Sequence, residues 1–394
     1  MKSIRNILHI WYDELTAVFK DKGILMFILF VPLVYPLLYT WVYTNEVVRE
    51  VPAVVIDENR TAQSREFIRM VDAAPDVKIV AHCNTTAEAE KLLRRREAFG
   101  IIRIPKSFSR DLWRGEQTRV GVYCEMSSML YYKALLLATT KVSLEMNADI
   151  KVERYCAGTT DRQDEVARMP IEYDYVALYN PQSGFAAFLI PPVLLLILQQ
   201  TLLLGIGMSA GDTRERFRGS LIPFHRDYKN PVHIVLGKAA VYFGVYFVMA
   251  VYAFTVVTHG FALPKLGDFA TLALFVTPFL LSCIFMAMVL SAFVWRREDC
   301  IMLFVSLSVP LLFISGISWP WASVPPFWKA VSMAFPSTLG MNGYVRIQAM
   351  GATLQDVAFE FRGLWIQTGI YFVMACLLYR RQIRQIARRH CPPV

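Results

Sequence analysis

One short stretch of the sequence, residues 211–232, concentrates the side chains whose types and spacing could do chemistry. Its carboxylates and guanidinium groups lie within a few positions of one another and of one phenylalanine: Asp212, Arg214, Glu215, Arg216, Phe217 and Arg218. The apolar residues Leu221, Ile222 and Phe224 follow, and this mixture is typical of a short amphipathic helix that docks in a partner's groove. A solvated loop, which would need only the arginines, is the alternative. The pattern predicts contact with another protein, in which arginines pair with acidic groups of the partner.

A second set of polar residues interrupts long apolar segments that carry no Asp, Glu, Lys or Arg near their centres: Gln199, Gln200, Thr201, Ser306 and Ser308. Such mild polarity is explained either by hydrogen bonds between membrane helices or by the lining of a substrate path. Ion-driven carriers place ionisable groups near the membrane midplane. Because these segments lack ionisable groups near their centres, we expect that a substrate path through them would draw its energy from a partner protein.

The signatures of catalysis that we sought are absent from the sequence. It contains no GxxxxGK[ST] phosphate loop and no HExxH pair, and its six histidines are scattered. We therefore expect no catalytic residues, no metal site, no cofactor and no ATP hydrolysis by this chain alone. Three of the seven cysteines, Cys83, Cys124 and Cys156, fall in the longest polar segment, where ordinary packing and a single disulfide of undetermined pairing are both open.

Membrane helices are the elements that must position these residues. The chain has 394 residues, of which 55% are hydrophobic. A bilayer core needs about 20 apolar residues in a helix. Six transmembrane helices are therefore expected, at 24–44, 185–208, 235–257, 269–293, 300–317 and 363–379. The expected fold class is a membrane protein with an all-α transmembrane region of six helices and an inserted extracytoplasmic α/β domain.

The basic residues of the short connections indicate the orientation. Sixteen Lys and Arg fall on one side of the expected spans and four on the other. The more basic side is expected to face the cytoplasm, so we expect a multi-pass plasma-membrane protein with both termini in the cytoplasm. Since these residues are spread loop by loop and do not form one basic face, no nucleic acid is expected as a partner.

The remaining segments receive the following expectations. Residues 1–23 read as an interfacial amphipathic helix lying on the lipid bilayer, 209–234 as a cytoplasmic coupling loop and 380–394 as a cytoplasmic basic tail. Residues 318–362, rich in Pro and Trp, predict re-entrant or interfacial helices in an external loop. Residues 45–182 predict the extracytoplasmic domain, with strands at 51–56, 77–80, 100–104 and 119–124 and helices at 64–71, 86–99, 108–113 and 130–154.

The order of these parts resembles that of the ABC-2 type export permeases, the six-span membrane subunits of one class of ABC exporter. The motifs that carry the resemblance are Glu14-Leu15, Lys20-Asp21-Lys22, Val54-Val55-Ile56-Asp57, the stretch 100–109, Arg214-Glu215-Arg216-Phe217-Arg218-Gly219-Ser220, Gly237-Lys238, Ser315-Gly316, Pro320, Pro325, Pro336 and Arg346. One departure is that Phe217 stands where relatives commonly carry an acid, and Ser220 stands where they carry Thr.

The resemblance implies a permease subunit in a bacterial inner membrane. It would pair with a second permease subunit, either as a homodimer or with a paralogue, and dock a separate ABC ATP-binding subunit that binds ATP. It would expel a drug-like or amphipathic substrate, with a periplasmic adaptor and an outer-membrane channel as further partners. The alternative is a membrane sensor or scaffold with a ligand-binding external domain. The identity of the substrate does not follow from the sequence.

Overall fold

The structure is a computed structural model that describes residues 2–44, 47–155, 160–168, 178–180, 184–217, 219–223, 228–263 and 265–390. The chain divides into two compact units. The helical unit comprises Met1–Glu46 and Ala177–Val394, and the α/β unit comprises Val47–Val176.

Two helices open the helical unit. α1 spans Lys2–Lys20 and α2 spans Lys22–Val42. They are separated at Asp21, whose carboxylate accepts hydrogen bonds from the backbone N–H groups of Gly23 and Ile24 and so caps α2.

The α/β unit is built on a four-stranded sheet of order β2-β1-β3-β4. Its elements in chain order are β1 Val51–Asp57, α3 Ala62–Asp72, β2 Val77–His82, α4 Thr86–Arg94, β3 Gly100–Ile104, α5 Phe108–Arg114, β4 Gly121–Cys124, α6 Met129–Tyr155 and α7 Asp161–Arg168. β1 pairs in parallel with β2 and β3, and β4 pairs antiparallel with β3.

Alternation along β1 explains how both faces of this sheet are covered. Val55 faces the core that contains Phe67 of α3 and Leu135 of α6, whereas Val54 and Ile56 face a smaller core that contains Ala89 of α4. Successive side chains of a strand point to opposite faces, so an apolar strand such as β1 must be covered on both.

The second part of the helical unit contains α8 Phe185–Arg216, α9 Pro231–Gly260, α10 Phe269–Phe293, α11 Arg297–Ile314, α12 Pro326–Ser332, α13 Pro336–Met350 and α14 Ala358–His390. α8 is buried along most of its length and packs against α2, α10, α11 and α13. It is the central helix of the unit.

Five helices in the described ranges are long and apolar enough to cross a membrane: Lys22–Val42, Phe185–Arg216, Pro231–Gly260, Phe269–Phe293 and Ala358–Ile386. The prediction of a sixth span at 300–317 is not confirmed. α11 is 18 residues long but begins with Arg297, Glu298 and Asp299. Its uncharged part, 300–314, rises about 22 Å at about 1.5 Å per residue, short of a hydrocarbon core of about 30 Å.

The Pro-rich segment 318–362 holds two helices of different character. α12 is mostly exposed, but α13 is buried between α8, α10 and α14. Arg346 near the end of α13 pairs with Glu360 in the first turn of α14 at 3.0 Å. α13 is therefore an integral layer of the core of the helical unit.

Candidate functional site

The charged stretch predicted to be a loop begins inside a helix. α8 continues through Arg216 and α9 begins at Pro231, so the segment 209–234 is helical at both ends. Leu221 and Ile222 are each 1% exposed and belong to the core of the helical unit. The prediction that these two side chains dock on a partner is therefore wrong. Arg218 and Phe224 lie outside the described residues.

Arg297 is the centre of an ion-pair network at the end of α8. Its guanidinium contacts Asp212, lies 2.8 Å from Asp21 (Nη1 to Oδ2), and lies 3.7 Å from Glu215 (Nε to Oε2). Arg216 extends the network, since its Nε lies 2.9 Å from Asp212. We call Asp21, Asp212, Glu215, Arg216 and Arg297 the arginine network. It joins the α1–α2 junction, the end of α8 and the start of α11.

The environment of Asp21 favours its charged form. Burial alone would raise the pKa of this carboxyl group, but the backbone N–H of Ile24 and the guanidinium of Arg297 stabilise the carboxylate, so its pKa is lowered below its ordinary value. The ionised Asp21 both caps α2 and pairs with Arg297 of α11.

Arg214 ties α8 to the end of α10. It is buried, its Nη2 donates to the carbonyl oxygen of Ala292 at 2.9 Å, and its Nη1 donates to the carbonyl oxygen of Val294. The guanidinium carbon lies 4.8 Å from the centroid of the Trp295 ring. Free carbonyl groups at a helix end are suitable acceptors for a cation, so Arg214 joins α8 to the end of α10.

The backbones also approach closely here. A Cβ atom added to Gly211 would lie 3.0 Å from the backbone nitrogen of Arg297. Any side chain at position 211 would therefore push α11 away from α8.

A second, more deeply buried cluster lies on α1. The Glu14 and Lys238 side chains are 7% and 6% exposed, and Lys238 Nζ lies 2.9 Å from Glu14 Oε2. The Tyr242 hydroxyl and the Ser209 hydroxyl both donate to Glu14 Oε1, at 2.6 and 3.0 Å. We call these four residues the Glu14 cluster. Lys238 therefore pairs with an acid inside the protein.

Burial and ion pairing act against each other on Glu14. Burial would raise the pKa of this carboxyl group, but Lys238 and the hydroxyl donors outweigh it, so the pKa of Glu14 is lowered below its ordinary value. The cluster therefore holds a charged pair, which connects α1 to both α8 and α9.

α1 has two apolar stripes. Ile10 and Val18 are buried with Glu14 against the bundle, while Ile4, Leu8, Tyr12 and Phe19 are exposed and follow helical spacing on the other side. The close approach of α1 to α9 depends on Gly237, since a Cβ there would lie 2.8 Å from Ile10 Cγ2. The sequence motif Gly237-Lys238 thus supplies both the contact and the ion-pair partner.

The polar residues expected in the spans divide into two groups. Gln199, Gln200 and Thr201 are buried in the bundle; Gln199 Oε1 accepts from the Cys283 thiol at 3.5 Å, and both amide atoms of Gln200 are buried without a hydrogen-bond partner among the described residues. Ser306 and Ser308 instead bond to carbonyl groups of their own helix, α11. No hydrogen bond joins the two groups within the described ranges.

Sequence reasoning identified Asp212, Glu215 and Arg216 as site residues but missed Asp21 and Arg297 as members of the network. In the sequence, Arg297 counts only as one of the basic residues of the short connections. Sequence reasoning also missed Gln348 of α13, which is fully buried with no partner for its amide atoms in the described part of the chain. No periodicity signals such a residue, because it lies in a segment with mixed composition.

These features define an integral membrane protein whose charged side chains cluster at one end of its central helix. The chain belongs to the ABC-2 family transporter proteins, whose family model matches residues 22–377. It is also similar to ABC transporter G family member 20 of Dictyostelium discoideum, with 22% identity over 293 residues. That match covers 72% of this chain and 37% of the relative, so the chain spans well under half of the relative's length.

Proposed function

We propose that this chain is the permease subunit of an ATP-driven ABC exporter, coupled to a separate ATP-binding subunit at the end of α8. The observation that carries the proposal is the arginine network. An ABC transporter needs a site at which the ATP-binding subunit acts on the membrane helices. The arginine network joins an exposed surface to α1, α2, α8 and α11.

The docking surface in this proposal is formed by Glu215, Arg216 and Phe217. The Glu215 and Arg216 side chains are 47% and 60% exposed although both take part in ion pairs. Charged groups in such half-exposed positions suit complementary charges on a partner. Arg218 follows directly in sequence and belongs to the same proposed surface.

Movement of the docked subunit would reach the bundle through fixed contacts. Asp212 carries it to Arg297 and α11, Arg214 carries it to the end of α10, and Ser209, one turn earlier on α8, carries it to Glu14 of α1. Packed helices joined by ion pairs shift as bodies. The three contacts therefore give the ATPase a hold on α1, α10 and α11 together.

The proposed topology places both termini and the arginine network in the cytoplasm and the α/β unit outside, in a bacterial inner membrane. α11 then serves as a short sixth span, with Ile301, Met302, Val305 and Val309 facing lipid or a second permease subunit. The side-chain amides of Gln199 and Gln200, which are buried in α8, are proposed to line the substrate path once the helices separate. Ser306 and Ser308 lie on a different helix, α11. The proposed substrate is drug-like or amphipathic, and an adaptor and outer-membrane channel would receive it.

Charge reversal at Arg216 tests the proposal. The permease is purified together with the ABC ATP-binding subunit expressed from the same cells. Arg216→Glu should reduce the bound ATP-binding subunit about tenfold, equivalent to about 1.4 kcal/mol, while membrane insertion is retained. Lys229→Glu, an exposed charge reversal before α9, is the matched control and should bind normally. Normal binding and normal transport by Arg216→Glu, Glu215→Ala and Phe217→Ala would refute the assignment.

A further inference from the structure

A cavity of about 450 Å³ opens inside the α/β unit, apart from the arginine network. Its apolar floor is formed by the core residues Phe67, Phe108 and Met146, and its walls come from α6 and from the segment that leads into β4. Small-molecule sites typically occupy about 300–1,000 Å³ and combine an apolar lining with a few convergent polar groups. The volume therefore suits one organic molecule.

The polar groups of this cavity have unequal partners. The Thr139 hydroxyl donates to the carbonyl oxygen of Leu135 at 2.7 Å and is satisfied within α6. The Thr118 hydroxyl oxygen is buried and has no hydrogen-bond partner among the described residues. A buried hydroxyl without a partner loses its bonds to water and gains none. A ligand that carries an N–H or O–H group would supply the missing bond.

The charge of the lining selects against anions. Glu116 is the one charged residue among the described side chains that line the cavity, and no Lys, Arg or His is among them. An anionic ligand would have to leave water without a cationic partner and approach a carboxylate. A neutral ligand has no such cost, and a cationic ligand can pair with the Glu116 carboxylate.

We propose that this cavity is a binding site for a small amphipathic organic molecule, neutral or singly cationic, that hydrogen-bonds to Thr118. The aromatic floor takes the apolar part of the ligand, and its amine or hydroxyl group meets Thr118. This site is independent of the proposed coupling at α8, so either assignment can fail while the other stands.

Two dyes with one skeleton test the proposal. N-phenyl-1-naphthylamine is neutral, and 8-anilino-1-naphthalenesulfonate adds a sulfonate to the same aromatic amine. Each is titrated by fluorescence into the full chain in lipid nanodiscs, with empty nanodiscs subtracted. The neutral dye should saturate at one site per chain and bind at least tenfold more tightly than the sulfonate.

Variants locate the binding. Ser143→Phe places an aromatic ring in the cavity and should weaken the neutral dye at least tenfold, whereas Leu137→Phe, on an exposed part of the same helix, should leave it unchanged. Thr118→Val keeps the side-chain size and should weaken the dye about threefold to tenfold. Glu116→Gln should strengthen the sulfonate about threefold and narrow the difference between the dyes.

The outcomes separate cleanly. Saturable binding that is lost in Ser143→Phe and weakened in Thr118→Val supports the site. Should Ser143→Phe fail to fold, Thr118→Val and Glu116→Gln decide alone. Absence of saturable binding, equal binding by the folded Ser143→Phe variant, or equal affinity for both dyes overturns the proposal.

Discussion

Replacement of Lys238 by methionine isolates the energetic role of the Glu14 cluster. Methionine keeps much of the length of the lysine stem and removes only the ammonium group. In the wild type that group lies 2.9 Å from Glu14 Oε2, with both side chains buried. The substitution leaves Glu14 inside the protein with the hydroxyl groups of Ser209 and Tyr242 as its donors.

The expected loss of stability is large because the remaining carboxylate is buried. At an effective dielectric constant of about 20, two unit charges 2.9 Å apart attract by about 6 kcal/mol. Much of this attraction offsets the cost of removing both groups from water, and removal of one partner of a buried pair typically costs about 3–5 kcal/mol. Lys238→Met should therefore lower the free energy of unfolding by about 3–5 kcal/mol.

The measurement is a denaturation titration with SDS in mixed micelles, followed by tryptophan fluorescence. Lys229→Met, an exposed substitution of the same kind, should remain within about 0.5 kcal/mol of wild type. The double variant Glu14→Gln/Lys238→Met removes both charges, and its free energy of unfolding should be within about 2 kcal/mol of that of the wild type. A Lys238→Met variant as stable as wild type, or a double variant no better than the single one, refutes the reasoning.

The pH dependence of the wild type follows from the same carboxylate. The folded-state pKa of Glu14 is below its ordinary value of 4.5, so its stabilisation is complete above pH 4.5 and is lost as the pH falls through the folded-state pKa. Below pH 4.5 the wild type should lose stability more steeply than the double variant. Equal acid sensitivity of the two proteins would argue against a charged pair.

The other predictions concern topology, energy source and the α/β unit. In a cysteine-free background, an impermeant maleimide should label Arg119→Cys in intact cells and Lys229→Cys only after permeabilisation; the opposite result contradicts the topology. The chain purified free of other subunits should show no ATP hydrolysis above background, because it lacks a phosphate loop. A fragment of residues 48–178 should melt cooperatively, since the α/β unit has its own core, and a featureless spectrum would count against its independence.

Periodicity predicted the parts of this fold that depend on local pattern. Long apolar segments located five membrane-length helices, and strands were expected at the four places where the sheet has them. Helix ends were less predictable. α8 runs on to Arg216 because Asp212 and Arg214 are satisfied by α10 and α11, and such long-range partners leave no trace in local composition.

The functional cluster shows the same division. The sequence marked Asp212 and Glu215 by charge density, and Gly237-Lys238 by resemblance to a family motif. It did not reveal Arg297 as the common partner of Asp212 and Glu215, and it did not pair Lys238 with Glu14. The partners in each pair are more than 80 positions apart in the sequence and meet only when the helices pack. A lysine near the start of an apolar helix could have been taken as a sign that a buried acid pairs with it.

Site-specific photo-crosslinking at Arg216 tests the central claim most directly. A benzophenone amino acid at this position, irradiated in cells and analysed by mass spectrometry, should capture an ABC ATP-binding subunit. The same group at Arg119, an exposed site in the α/β unit, should not capture it. Capture of the ATP-binding subunit at Arg119, or its absence at Arg216 in a complex that still transports, would contradict the assignment of the end of α8 as the coupling surface.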